Sequence, residues 1–330
     1  MAFVLFIASI FCATIPMFVF LGMVWWLDRY DREPIWLVVI SFLWGGIGAV
    51  IFAVIGSLIL TVPLMMVFGE EAANSLGAVL VAPLIEEPTK AVILLPIAFS
   101  KHFDNATDGF VYGAATGLGF AMTENFLYFM GPAINGQAAE WFFLVILRTL
   151  YSGVMHAAAS SIWGAAIGAA KFRGWGAKIV ALFGGYGLAF GMHALWNGLL
   201  VAGDATGSTL LPATNFILFP FEFLSVFLVF QWCLILESRN LTKELGAESK
   251  MGTLPPEHVP ILASYLKRNR KGWLDKSISR DDYLKAVTTL AMRRYQANLA
   301  KGKQKEEYEA DVIALRETVR ELLGAARQSS

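Results

Sequence analysis

The sequence predicts an all-α protein: a polytopic bundle of about seven transmembrane helices followed by a small helical cytoplasmic C-terminal tail. Three observations carry that expectation. Only 16% of the 330 residues are charged while 56% are hydrophobic, against about 25% charged in an ordinary soluble domain. Apolar runs of the roughly 20 residues that a bilayer core demands recur along the first two thirds of the chain. Charge is sorted by position: residues 1–237 hold 8 Lys/Arg and 14 Asp/Glu, whereas residues 238–330 hold 18 and 12. The split marks two domains, 1–237 in the membrane and 238–330 as a basic helical appendage.

The first apolar run, about residues 3–27, has no Lys/Arg before Arg29 and is longer than a signal-peptide core, so it reads as a retained helix. Further spans are expected at about 36–62, 76–99, 108–130, 141–168, 178–201 and 210–236. Gly45-Gly46 and Gly184-Gly185 suit close helix contacts. Cys12 and Cys233, the two cysteines, sit in apolar runs and provide neither a disulfide framework nor a thiolate metal site. After Pro255-Pro256, helices are expected at about 257–270, 280–298 and 303–324, the last with an apolar stripe of Val312, Leu315, Val319 and Leu322. Basic residues of the tail suit anionic lipid; its protein partner is not legible, and nothing points to nucleic acid.

Loop charge gives an orientation. Arg29 and Arg32, then Lys101, then Lys171, Arg173 and Lys178 occupy alternate loops, while the loops at about 69–75, 131–140 and 202–209 carry no Lys or Arg. The positive-inside rule then puts the N-terminus outside and the tail in the cytoplasm.

Ionisable residues inside spans are costly and mark function. The third span holds Glu86, Glu87 and Lys90; the fourth Glu124 and Asn125; the fifth Arg148, His156 and Ser160; the sixth His193 and Asn197; the seventh Glu222. Glu86 and Lys90 share a helix face, as do His156 with Ser160 and His193 with Asn197. Glu87 points about 100° away from Glu86, so one carboxylate can be structural while the other is free. Two imidazoles and a carboxylate match the ligand set of a catalytic zinc, with Glu87, His156 and His193 the expected ligands. The same groups also suit metal-free activation of water, with a glutamate base and His or Asn at an oxyanion. Counted at 1.5 Å per residue, they lie about 10–23 Å from the outer boundary.

At these residues the chain resembles the PrsW family of intramembrane proteases, distant relatives of the type II CAAX prenyl proteases. The resemblance covers about residues 20–202 and rests on Glu86-Glu87-Pro88-Thr89-Lys90, on Asp108-Gly109 with Tyr112-Gly113, and on Phe120-x-x-x-Glu124-Asn125. It extends through His156-x-x-x-Ser160 and His193-Ala-Leu-Trp-Asn197, with Asp28-Arg29-Tyr30 and Glu33-Pro34 also similar. It implies hydrolysis of a peptide bond in a single-span, membrane-anchored protein near its extracytoplasmic side; in the best-known members the substrate is an anti-sigma factor. Catalytic roles are expected for Glu86, Glu87, Glu124, His156, His193 and Asn197, with Lys90, Asn125, Arg148 and Ser160 in support. Two other readings stay open: a proton- or ion-coupled transporter using the Glu/His cluster as a relay, and a non-catalytic membrane scaffold whose polar groups hold helices together.

Overall fold

The computed structural model describes residues 1–328, with side chains through residue 324. Every regular element among them is helical. In order these are α1 (Ala2–Leu27), α2 (Ile35–Leu43), α3 (Val50–Phe68), α4 (Glu70–Leu76), α5 (Ala82–Ala91) and α6 (Leu94–Ala98). Then come α7 (Ala106–Ile134), α8 (Ala138–Leu147), α9 (Gly153–Ala170), α10 (Trp175–Thr206) and α11 (Leu210–Lys250). Beyond them lie α12 (Val259–Leu262), α13 (Tyr265–Arg268), α14 (Arg280–Leu299) and α15 (Lys303–Gln328). Three π-helical turns, Trp44–Ala49, Gly77–Val81 and Arg148–Ser152, join α2 to α3, α4 to α5 and α8 to α9.

Among the described residues, five stretches are long and apolar enough to cross a membrane: Ala2–Leu27, Ile35–Phe68, Ala138–Ala170, Trp175–Thr206 and Leu210–Lys250. The other two expected spans behave differently. One is broken into α4, α5 and α6. The other is α7, whose residues 107–121 are all buried. A helix surrounded by protein needs no lipid-facing apolar surface, and these two carry Glu86, Glu87, Lys90 and Glu124.

The chain forms two compact units: residues 1–27 with 33–230, and residues 28–32 with 231 onward. In the first, α7 is the axis. Its N-terminus is closed by a capping box, in which Asn105 Oδ1 accepts from the Asp108 amide at 3.3 Å and Asp108 Oδ2 accepts from the Asn105 amide at 3.0 Å. Leu5, Ser9, Ala13, Met17 and Leu21, four residues apart, form the buried stripe of α1; α7 and α9 pack backbone to backbone. A Cβ on Gly109 would lie 2.0 Å from the Gly164 carbonyl, one on Gly113 2.3 Å from that of Ser160, and one on Gly117 2.4 Å from that of His156. Only glycine permits that approach. Gly45 makes a similar contact, 2.0 Å from the Thr116 carbonyl, and Gly185 sits on Trp163, whereas Gly184 faces open space.

In the second unit, Leu241 and Leu245 of α11 pack with Tyr283, Val287 and Leu290 of α14 and with Val312 and Val319 of α15. Glu248 accepts from Arg294 at 2.5 Å and from Arg316 at 2.6 and 2.8 Å. The Tyr30 hydroxyl donates to the Ala263 carbonyl at 3.1 Å. The apolar stretch of α11 ends near residue 236, but the helix continues to Lys250 because Leu241 and Leu245 prolong its buried face. The helix expected at about 257–270 is instead a 3-10 turn, Pro256–His258, running into α12, and then α13, parted at Ser264, whose extended backbone (φ −109°, ψ 114°) interrupts the run.

Candidate active site

The ionisable residues of α5, α7, α9 and α10 converge inside the first unit. Each is aimed by a local irregularity. Pro88 lacks an amide hydrogen, so the Leu84 carbonyl one turn earlier loses its helical partner; the Tyr186 hydroxyl donates to it at 3.3 Å. The helix breaks after Ala91, and Trp44 Nε1 donates to the Thr89 carbonyl at 2.9 Å. Each π-helical turn has a carbonyl capped by a side chain of another helix. Thr123 donates to Gly46 O at 2.6 Å, Asn197 to Ala78 O at 2.9 Å and Asn125 to Arg148 O at 3.4 Å. An extra residue in a turn frees carbonyls and rotates the helix beyond it. Two of these turns directly precede the segments bearing Glu86 and His156.

Lys90 lies at the centre, 1% exposed. Its Nζ is 2.8 Å from Glu87 Oε1, 3.0 Å from His156 Nδ1 and 3.6 Å from Glu86 Oε2, and it sits over the Phe120 ring at 4.1 Å. An ammonium only donates, so His156 Nδ1 accepts and His156 Nε2–H faces Glu124 Oε2 at 2.7 Å. His193 is held the opposite way. Its Nδ1 faces Glu87 Oε1 at 2.8 Å and donates to that carboxylate, so Nε2 keeps a lone pair, 3.8 Å from Glu86 Oε2. The two rings are perpendicular, 4.8 Å apart. Arg148 Nη2 reaches Glu124 Oε2 at 2.7 Å, its Nε donates to Asn125 Oδ1 at 3.2 Å, and its guanidinium covers Tyr128 at 3.6 Å. Three carboxylates, those of Glu86, Glu87 and Glu124, thus share the site with the Lys90 ammonium and the Arg148 guanidinium.

Glu86, Glu87, Lys90, Glu124, Asn125, Arg148, His156 and His193 are thus one connected set. Asn197, expected among the catalytic groups, lies apart from it and caps Ala78 O, because the π-helical turn there frees that carbonyl. Ser160 is buried beside Glu87, Lys90 and Trp163 around a narrow void rather than on an imidazole. Glu222 lines a separate apolar groove with Phe219, Phe223 and Phe227. Asp108 is a helix cap, and Glu33 accepts from the Tyr112 hydroxyl. Tyr128 escapes sequence reasoning, although its place four residues after Glu124 on α7 is a usable signal.

The donor atoms suit a divalent cation. Ligand atoms of Glu86, His156 and His193 lie within 4.8 Å of one another. Glu86 Oε2 is buried without a hydrogen bond, and His193 Nε2 offers a lone pair beside it. The carboxylate that joins the imidazoles is that of Glu86. Glu87, expected as the ligand, is held by Lys90 and by His193 Nδ1. Glu86 and Glu124 also line a cleft of about 380 Å³ that runs between α3, α7 and the 74–86 segment.

A family model described as PrsW family intramembrane metalloprotease matches residues 33–231. The chain belongs to the PrsW family. It is 35% identical over 126 residues to the protease PrsW of Clostridioides difficile, covering 37% of this chain and 51% of that protein. It is 31% identical over 159 residues to the protease PrsW of Bacillus subtilis, covering 46% of this chain and 64% of that protein. The match to the protease PrsW of Geobacillus kaustophilus is 29% identical over 187 residues, covering 54% and 74%. The chain thus spans about half the length of the first relative and less than two thirds of the second. No solved structure matches it.

Proposed function

We propose that this family member is an intramembrane endopeptidase that hydrolyses a peptide bond in a single-span membrane protein, at or just outside the extracytoplasmic end of that span. The observation that carries the proposal is the buried cluster in which Glu86 Oε2 and His193 Nε2 lie together without a hydrogen-bond partner while Glu87, Lys90, Glu124, Arg148 and His156 are tied to one another. Transfer of acyl groups to water needs such groups pre-positioned in a dry site.

Glu86, His156 and His193 would hold a zinc ion, His156 exchanging one of its present partners for the ion. Bound there, zinc would supply Lewis-acid polarisation of water and of the scissile carbonyl. Glu124, the other carboxylate on the cleft, accepts the proton of the attacking water and returns it to the departing amide nitrogen. Arg148 keeps Glu124 in place from one side. Glu87 sits behind, orienting His193 through Nδ1–H, and Lys90 fixes the His156 ring. Asn125 and Tyr128 hold Arg148.

The alternation of basic loops supports an orientation with the N-terminus outside and residues 238–330 as a cytoplasmic appendage dispensable for the chemistry. The depth of the cluster then favours the outer end of the substrate helix, where helices fray and backbone amides can meet water. Purified protein in lipid nanodiscs, incubated with a fluorogenic single-span peptide carrying a Gly-Ala-Ser juxtamembrane stretch, tests this. Cleavage lost in His193→Ala is the expected result. Absence of cleavage by the wild type, with ion flux in its place, would support a transporter and sink the proposal.

A further inference from the structure

The cleft that reaches Glu86 and Glu124 is open on a side that the chemistry does not use. Its walls are Val50, Val54, Ser57 and Thr61 of α3, then Asn74, Gly77, Ala78 and Ala82, with Phe120, Glu124 and Leu127 of α7 at the back. α3 is weakly held: of its nineteen residues only Ala53 is buried. It stays against α7 through Ala53 and the preceding Ala49, which pack with Phe120, and lines the cleft beyond them. From there it touches the opposite wall at Gly56 against Ile85, and at Thr61, whose side-chain atoms lie 3.4 Å from a Cβ built on Gly77.

The lining distinguishes among occupants. Ser57, Thr61 and Asn74 are polar groups on an otherwise apolar wall, and among the described residues their side chains make no hydrogen bond. A lipid tail has no use for them. A polypeptide that unwinds at membrane depth does, since each freed N–H and C=O must find a partner there. Gly77, Ala78 and Ala82 are small enough to admit a second backbone closely.

We propose that this cleft is the lateral entry route for an extended stretch of a single-span polypeptide, with α3 as the moving wall and Ser57 and Asn74 as hydrogen-bond partners for the unwound backbone. The proposal rests on the protease reading. The stretch enters from the lipid side, passes between Thr61 and Gly77 at the rim, and reaches the two carboxylates at the far end.

Two measurements keep the route and the protease reading apart. In a background lacking Cys12 and Cys233, Thr61→Cys with Gly77→Cys places two sulfurs within disulfide reach across the rim. Oxidised protein should cut the fluorogenic single-span peptide at least tenfold more slowly than the same protein after reduction. Equal rates in the two redox states overturn the route. Independently of cleavage, a photo-crosslinking residue at Ser57 in a Glu87→Gln background should capture that peptide, and one at Phe227, on the separate apolar groove, should not. Capture at 227 equal to or greater than at 57 contradicts the proposal even if the wild type cleaves. If the wild type cuts nothing, the protease reading fails and the capture experiment still decides the route.

Discussion

Burying Lys90 is tolerable because three partners surround its ammonium, and its contact with His156 sets the tautomer of that ring, as Glu87 sets that of His193. Removing one member of a buried charge set leaves the others uncompensated, at about 3–5 kcal/mol. Lys90→Met should therefore lower the thermal midpoint in detergent markedly, whereas a substitution at exposed Trp175 should not. The proposed chemistry gives the two cleft carboxylates separable roles. Glu86→Gln should lose bound zinc on metal analysis. Glu124→Gln should keep the zinc and lose activity by about a hundred- to ten-thousand-fold, the range for a general base. Zinc retained in both variants would remove Glu86 from the ligand set. Much of this was readable from spacing: the Glu86–Lys90 pair, the two histidines and the excess of polar groups in adjacent spans. Which glutamate meets the imidazoles was not. Their facing depends on the π-helical turn at 77–81, which rotates α5 by an amount that no hydrophobic pattern encodes.

At the scale of helices, the stripe of Gly109, Gly113 and Gly117 brings α9 against α7 and so puts His156 beside Glu124. Gly113→Leu would drive a side chain into the Ser160 carbonyl. The expected outcome is a protein that inserts but neither cleaves nor stays monodisperse on size exclusion, where Gly131→Leu, with no atom near its Cβ, behaves as wild type. Asn197 is engaged with the backbone, its Nδ2 donating to the Ala78 carbonyl. Asn197→Val leaves the Ala78 carbonyl without its donor and should cost about 1–3 kcal/mol of stability, with measurable cleavage surviving in the folded fraction. Complete loss of cleavage at unchanged stability would return Asn197 to the chemistry. The sequence showed where helices run because apolar length is a one-dimensional signal. It hid the breaks at Ala91 and Ser264 and the three π-helical turns, since these are stabilised by side chains from distant segments, such as Trp44, Thr123 and Asn197.

For the molecule as a whole, the charge asymmetry pointed to two regions, and the chain forms two compact units. The asymmetry did not reveal that residues 28–32 belong with the C-terminal unit, because contacts such as Tyr30 with Ala263 join positions far apart in sequence. That unit has its own pH dependence. Burial pushes the His258 imidazole below its ordinary range, and its Nδ1 lies 2.8 Å from the Tyr283 hydroxyl. The unfolded chain then binds a proton more readily than the folded one, so this stability is complete above about pH 6.5 and declines as pH falls toward the depressed folded value. Limited proteolysis should cut around residues 256–299 faster at pH 5.5 than at 7.5, and His258→Gln should flatten the difference. Mass spectrometry of the ends released from a single-span peptide by the purified protein tests the proposed chemistry and orientation together. One cut is expected at or just outside the extracytoplasmic end of the span, present in the wild type and absent in His193→Ala. A cut on the cytoplasmic side would contradict the depth and orientation, and equal cutting by His193→Ala would contradict the site.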